Sequence, residues 1–411
     1  MPFGFVAAAP RWGTGQSRRK SGGTLLECDP QVLNETALAP PEEFSKRAHV
    51  KSIERGLRAS VSLVFLIVIS ALSAFGQGAI SSRPRPPEEV APYLKPQRLV
   101  RIAEGRTINL VCLGRGSPTV VLTAGLGGWS LVWYRVQVPL SHTTRVCAWD
   151  PAGLGFSSPS PEPQDAVHET EDLEDSLKAA HIDGPYVMVA HSAGASVALL
   201  FADQHRKTLA GMVLVDPSIP NETAIRERVA PKFAAFGDSA PRAAVRRLEE
   251  CAKKLRSGTL ERGTPEFNRC TVQPLPPAFS RLSATLAGLN ADPARLLTQA
   301  SAMENAAIRS SRETISPKRN YGDMPLIVLT SGSHPMPPGI PAVVREQAAV
   351  YFRALASGHE ALAMLSTRGH DQLVPDSGHF IQLENPAVVL AAINRVLGKR
   401  GPRPSRAAAH R

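Results

Sequence analysis

From Gln97 onward the chain alternates between two hydrophobic periods. Short apolar, β-branched runs recur: LVRIA, TINLVCL, TVVLTA, TRVCAW, YVMVAH, GMVLVDP, PLIVLT and a brief DQLVP. Stretches with helical spacing lie between several of them: the segment around Leu131–Leu140, an acidic one at 166–181, and 192–206. A terminal helix is predicted over 385–397. Runs that are apolar throughout, with no polar alternation, fit strands covered on both faces. Strands alternating with helices predict an α/β fold: a mostly parallel sheet with helices on both faces. The first runs are joined by short polar turns (AEGRT, GRGSP), which predicts an antiparallel start. No repeat of fixed period is present.

Between Pro217 and Tyr321 the strand runs stop. Amphipathic stretches at 222–236, 241–256, 279–289 and 293–312 replace them. This predicts a helical cap at about 217–320, inserted after the sixth strand. It leaves from the C-terminal end of a parallel strand, the end at which sites form in such sheets. Its apolar residues Phe233, Phe236, Leu282, Leu286 and Leu296 are either cap core or the lining of a pocket for an apolar ligand.

The segment before the sheet is of a different kind. Lys51, Arg55 and Arg58 precede the apolar run Val61–Phe75, and small residues follow at Ala74 and Gly76. A basic region, an apolar core and a small-residue site make 50–76 a signal peptide, cleaved near Gly76–Gln77, or an uncleaved membrane anchor. The run of about 15 residues is short of the roughly 20 that span a bilayer. Export to the periplasm or the medium is therefore expected, with attachment through 61–75 if the signal stays. Residues 1–49 show no periodicity and sit awkwardly upstream of a signal. Translation from Val50 would remove them. Residues 77–97 read as a Pro-rich linker, and 399–411 as a basic disordered tail.

Charge follows the same division. The 411 residues carry a formal charge of +11. It resides in the ends, because residues 107–398 hold equal numbers of basic and acidic side chains. The folded region thus offers no nucleic-acid footprint.

Chemistry is concentrated at three strand ends. Ala190-His191-Ser192-Ala193-Gly194 lies between the strand YVMVAH and the helix that follows. A serine on a tight strand-to-helix turn has an exposed hydroxyl, and the positions two before and two after must be small. Ser192 is the candidate nucleophile. A hydroxyl needs a base at neutral pH, and imidazole suits. Of eleven histidines, His379 (in DSGHF) follows the last strand and precedes the terminal helix, whereas His370 lies at the wrong end of its strand. The strand TVVLTA ends in AGLGG, a loop able to aim a backbone N–H at a developing oxyanion. Leu126 and Ala193 are the candidate donors. There is no GxGxxG, no Gly-Lys-Ser/Thr, no HExxH and no CxxC, so neither a nucleotide cofactor nor a metal is implied.

With these motifs the chain resembles the α/β-hydrolase superfamily, in particular its capped, exported, lipase- and esterase-like members. The resemblance covers about residues 98–398. It rests on AGLGG, WDPAGLGFSSPS, AHSAG, VLVDPS and SGHFIQLENP, in that order. It implies an eight-stranded, mostly parallel sheet, a triad in the order Ser, acid, His, and oxyanion donors at Leu126 and Ala193. The usual acid position, after the seventh strand, reads Ser331-Gly332-Ser333-His334 and has no carboxylate before Glu346. Some members place the acid after the sixth strand, which is Asp216 here. Asp323 precedes its strand, and Asp376 shares a loop with His379. Asp216 is therefore assigned as the acid, against an alternative role as a turn residue before Pro217.

A serine nucleophile excludes the carboxylate-dependent dehalogenase and epoxide hydrolase chemistries of this fold and points to acyl transfer to water. The expected activity is hydrolysis of a small-molecule carboxylic ester or related acyl compound. A perhydrolase, acyltransferase or lyase, or a non-catalytic binding member, is the alternative. Cys251 and Cys270 in the cap either pair or stay reduced. Cys112 and Cys147 fall on strands that the resembled fold places side by side, and are expected as buried thiols because cross-strand bridges are uncommon.

Overall fold

The computed structural model describes residues 87–273 and 275–399. The extension 1–49, the signal-like run Val61–Phe75 and the tail beyond Lys399 lie outside them. Among the described residues no helix is long and apolar enough to cross a membrane.

The apolar runs form β1 (Arg98–Arg101), β2 (Thr107–Leu113), β3 (Thr119–Thr123), β4 (Val146–Trp149), β5 (Tyr186–His191), β6 (Leu209–Val215), β7 (Leu326–Ser331) and β8 (Gly369–Val374). They make one eight-stranded sheet in the order β1-β2-β4-β3-β5-β6-β7-β8. The expected antiparallel start consists of β1 and β2, with β2 also antiparallel to β4. From β4 to β8 all pairings are parallel. The sheet is therefore mostly parallel, as the sequence predicts.

Helices cover both faces, and the reason is legible in residue parity. Successive strand residues point to opposite sides. Val121, Met188, Met212 and Val328 pack with Leu173 and Leu177 of α2 (Ala166–Ala179) and Phe201 of α3 (Gly194–Gln204). Their chain neighbours Val120, Val187, Val213 and Ile327 pack on the other side. There they meet Val136 and Leu140 of α1 (Tyr134–Ser141) and the last helix (Pro386–Val396). Both faces being apolar, β3, β5, β6 and β7 need uninterrupted apolar sequence.

Between β6 and β7 lie α4 (Glu222–Val229), α5 (Pro231–Arg256), α6 (Pro265–Thr271), α7 (Ser283–Leu289) and α8 (Pro293–Asn305). A break was expected between 236 and 241, where Gly237 and Pro241 sit. The helix instead runs through, and the break falls at Ala230, before Pro231. One face of α5 is buried through Ala234, Ala240, Ala244 and Leu248, and that packing outweighs local propensity. Leu282 and Leu286 are buried in a cluster with Val111 of β2, Leu131 and Tyr134, whereas Leu296 is buried within the cap beside Leu248 and Cys251.

The cap is fixed firmly on one side. Arg295 of α8, almost fully buried, donates to the carbonyls of Ser157 and Gly155. Gln299 donates to Gly153 at 2.8 Å, and Cys251 is disulfide-bonded to Cys270.

Three features depart from the sequence reading. Cys112 and Cys147, expected as thiols, are disulfide-bonded. They stand directly opposite each other on antiparallel β2 and β4, with Cα atoms 4.0 Å apart, so the sulfurs meet. The end of the proposed linker folds: Tyr93 is buried and donates its hydroxyl to Gln137 Oε1 at 2.7 Å. A helix absent from the sequence reading, α9 (Ala342–Ala363), lies between β7 and β8.

Candidate active site

Ser192 follows β5 and precedes α3 with φ of +52°, a left-handed conformation rare outside glycine. Only small neighbours permit it. A Cβ on Gly194 would meet the Ala124 carbonyl at 2.4 Å, and Ala190 is fully buried. A Cβ on Gly125 would come within 2.8 Å of Ser192 Cβ, which shows how closely the loop after β3 approaches the hydroxyl.

Asp216, immediately after β6, has the same unusual geometry, with φ of +42°. The two turns are stitched together: Ser192 N–H donates to Val215 O, and Ser218 N–H to Ser192 O. Adjacent parallel strands thus present the hydroxyl and the carboxylate at one sheet edge.

His379 reaches both from the loop after β8. Its Nε2 is 2.9 Å from Ser192 Oγ and its Nδ1 is 2.6 Å from Asp216 Oδ2. The side chain of His379 is 46% exposed and that of Asp216 4%, so the imidazole faces solvent while the carboxylate behind it does not. Burial alone would raise the Asp216 pKa. The hydrogen bond from His379, its charge, and the Ser331 N–H outweigh burial and hold Asp216 down to about 2. The carboxylate is charged at neutral pH, so it fixes the proton on Nδ1 and leaves Nε2 to accept from the serine.

The structure therefore brings together all three side chains singled out from sequence. Ala193 follows Ser192 and Leu126 follows Gly125, whose backbone closely approaches Ser192, and neither amide donates to another backbone group among the described residues. Asp376 is exposed and Asp323 is exposed at the opposite end of its strand. The loop that carries His379 is tied by Glu384, whose carboxylate accepts from Gly378 N–H at 2.6 Å.

Four contributors were missed by sequence reasoning. His191, buried beside the nucleophile, has Nε2 2.9 Å from the His379 carbonyl, its ring 4.6 Å from that of His379. A carbonyl only accepts, so His191 holds its proton on Nε2. Burial, then the neighbouring His379, push its pKa down to about 3. It stays neutral and does not oppose a positive charge on His379. Ser331 supplies its N–H to Asp216 Oδ1. His334, at the position of the usual acid, stacks on Phe352 with ring centres 3.8 Å apart. Burial lowers its pKa. His359 is fully buried on α9. The partners of these residues lie well away along the chain, and no local motif announces them.

Residues 120–392, about two thirds of the chain, match the profile of the alpha/beta hydrolase family. The chain belongs to the alpha/beta hydrolase family. Among curated relatives, this alpha/beta hydrolase is 34% identical over 106 residues to "Uncharacterized protein YqjL" of Bacillus subtilis (strain 168), covering 26% of the chain and 42% of that protein. It is 30% identical over 102 residues to "Putative carbamate hydrolase RutD" of Klebsiella pneumoniae (strain 342), covering 25% of the chain and 38% of that protein. Each match spans less than half of the relative's length. Among solved structures, a probable hydrolytic enzyme from Pseudomonas aeruginosa PAO1 superposes with a TM-score of 0.51 at 17% identity, over 73% of this chain and 93% of that one. At that identity the likeness is one of fold.

Proposed function

We propose that this alpha/beta hydrolase is an exported serine hydrolase that cleaves a carboxylic ester, or a related acyl compound, through an acyl-enzyme on Ser192. The observation that carries the reading is the unbroken line from Ser192 Oγ through His379 to Asp216, at 2.9 and 2.6 Å. His379 Nε2 takes the serine proton as Oγ attacks the acyl carbon. The N–H groups of Leu126 and Ala193 receive the oxyanion, each such donor being worth about 10²–10³ in rate. The same imidazole then protonates the leaving alcohol and activates the water that opens the acyl-enzyme. The carbamate named for the RutD relatives is a related acyl substrate open to the same attack.

Export rests on residues 50–76. The disulfides Cys112–Cys147 and Cys251–Cys270 support it, because such bonds persist in oxidising compartments.

The test is intact-mass labelling of the full chain with a fluorophosphonate, beside Ser192→Ala and His379→Ala. The reading requires one adduct on the wild type and none on either variant. A folded wild type that takes no adduct overturns it.

A further inference from the structure

His359 lies on α9, outside the triad, and has no exposed surface. Its Nε2 is 2.8 Å from the carbonyl oxygen of Pro217, the residue that follows Asp216. Its Nδ1 is 2.9 Å from Thr330 Oγ1 on β7, and that hydroxyl lies 2.7 Å from Asp371 Oδ1 on β8. A carbonyl cannot donate, so the Pro217 contact requires a proton on Nε2. The ring is thus gripped at both nitrogens, by β7 and by the turn after β6, and Thr330 carries the link on to β8.

A second observation points to the same turn. A Cβ on Gly358 would fall 2.4 Å from Ile219 Cδ1, so α9 is pressed against residues 217–219 at the helical turn that bears His359. The turn needs this support. Asp216 holds a positive φ, a conformation that persists only where its surroundings enforce it. Neither the Asp216 carboxylate nor its N–H meets the Pro217 carbonyl. Asp216 is held through its side chain by His379 and Ser331, and through its N–H by Leu329 O. His359 clamps the far side of the turn.

We propose that His359 is a positioning residue for the acid: by donating Nε2–H to the Pro217 carbonyl it fixes the turn that aims Asp216 at His379. This rests on the serine-hydrolase reading only for its kinetic consequence. The consequence for geometry stands without it.

The experiment compares full-length wild type with His359→Phe, His359→Gln and Thr330→Val. One readout is kcat and KM on p-nitrophenyl butyrate. The other is the far-downfield proton resonance of the hydrogen bond between His379 Nδ1 and Asp216. Phenylalanine fills the site without a donor, and a misplaced acid lowers kcat by about 10²-fold at near-constant KM, with loss of the resonance. Glutamine keeps a donor and restores both. Thr330→Val conserves shape, frees one side of the ring, and gives an intermediate result if the phenylalanine variant does not fold. A folded His359→Phe or Thr330→Val that keeps wild-type kcat and the resonance overturns the proposal. A wild type that shows the resonance but neither turns over the ester nor takes a fluorophosphonate removes the hydrolase reading, and the resonance in the variants still decides the role of His359.

Discussion

Ser331, the last residue of β7, donates its backbone N–H to Asp216 Oδ1 at 2.9 Å, while the carboxylate itself is carried by β6. The strand that ordinarily bears the acid therefore still serves it, through its main chain. Asp216 is consequently gripped at both oxygens, one by Ser331 and one by His379.

Asp216→Asn should lower turnover by about 10⁴ with the fold intact, because an amide cannot fix the imidazole tautomer or stabilise its charged form. Asp376→Asn, on an exposed residue of the His379 loop, should leave turnover at the wild-type level. Steady-state kinetics on p-nitrophenyl butyrate, with circular dichroism as the folding control, checks both. Equal turnover of Asp216→Asn and wild type would remove Asp216 from the triad.

Gly194→Ala should destabilise the protein by about 1–3 kcal/mol, the usual range for overpacking. The added methyl would meet the Ala124 carbonyl at 2.4 Å and Thr123 Cγ2 at 2.6 Å, both on rigid elements. Urea denaturation measures it, and an unchanged midpoint would show that helix and strand can part.

Arg295→Met should weaken the bond between cap and sheet. It leaves the Gly155 and Ser157 carbonyls without the donor that meets them, at about 1–3 kcal/mol for each buried group unpaired. Proteolysis under native conditions reads the result. Cleavage concentrated within residues 222–313 is expected, and wild-type resistance would mean that other contacts hold the cap.

His191 makes stability depend on pH in a definite direction. Its pKa is 6.5 when unfolded and about 3 when folded, so between these values only the unfolded chain binds the proton. Stability from this group is whole above pH 6.5 and is lost as pH falls toward 3, by at most about 1.4 kcal/mol per pH unit. The depressed pKa of Asp216 gives a loss of its own only below its unfolded value of 3.8. Between pH 6.5 and 4, His191→Asn should therefore show a shallower decline in urea-derived stability than wild type. Parallel curves would contradict the assigned burial.

Much of this was legible because the chain announces it locally. The central strands are apolar on both faces, so no alternation obscures them. The turn at Ser192 admits only small neighbours, and Ala190 and Gly194 stand in plain view. Asp216 was reached through the resemblance, some members of which carry the acid after the sixth strand, with Asp323 before its strand and Asp376 in the His379 loop set aside. Helix α9 escaped because apolar Val343 and Val350 lie on its exposed side, which blurs the 3.6-residue period. His191 and His359 escaped for another reason. Their partners are the carbonyls of His379 and Pro217, 188 and 142 residues away, and only the folded topology brings them near.

The placement of Asp216 after β6 has a consequence for how this protein can diversify. The segment after β7 is held to the His379 loop through Gly332 and Ser333, whose N–H groups donate to Ser377 O. Beyond that point, residues 334–341 carry no member of the triad. His334, the first of them, stacks on Phe352 of α9. The triad and this segment thus lie on separate stretches of the chain. The segment can be lengthened, shortened or recoded while the line from Ser192 through His379 to Asp216 stays as it is.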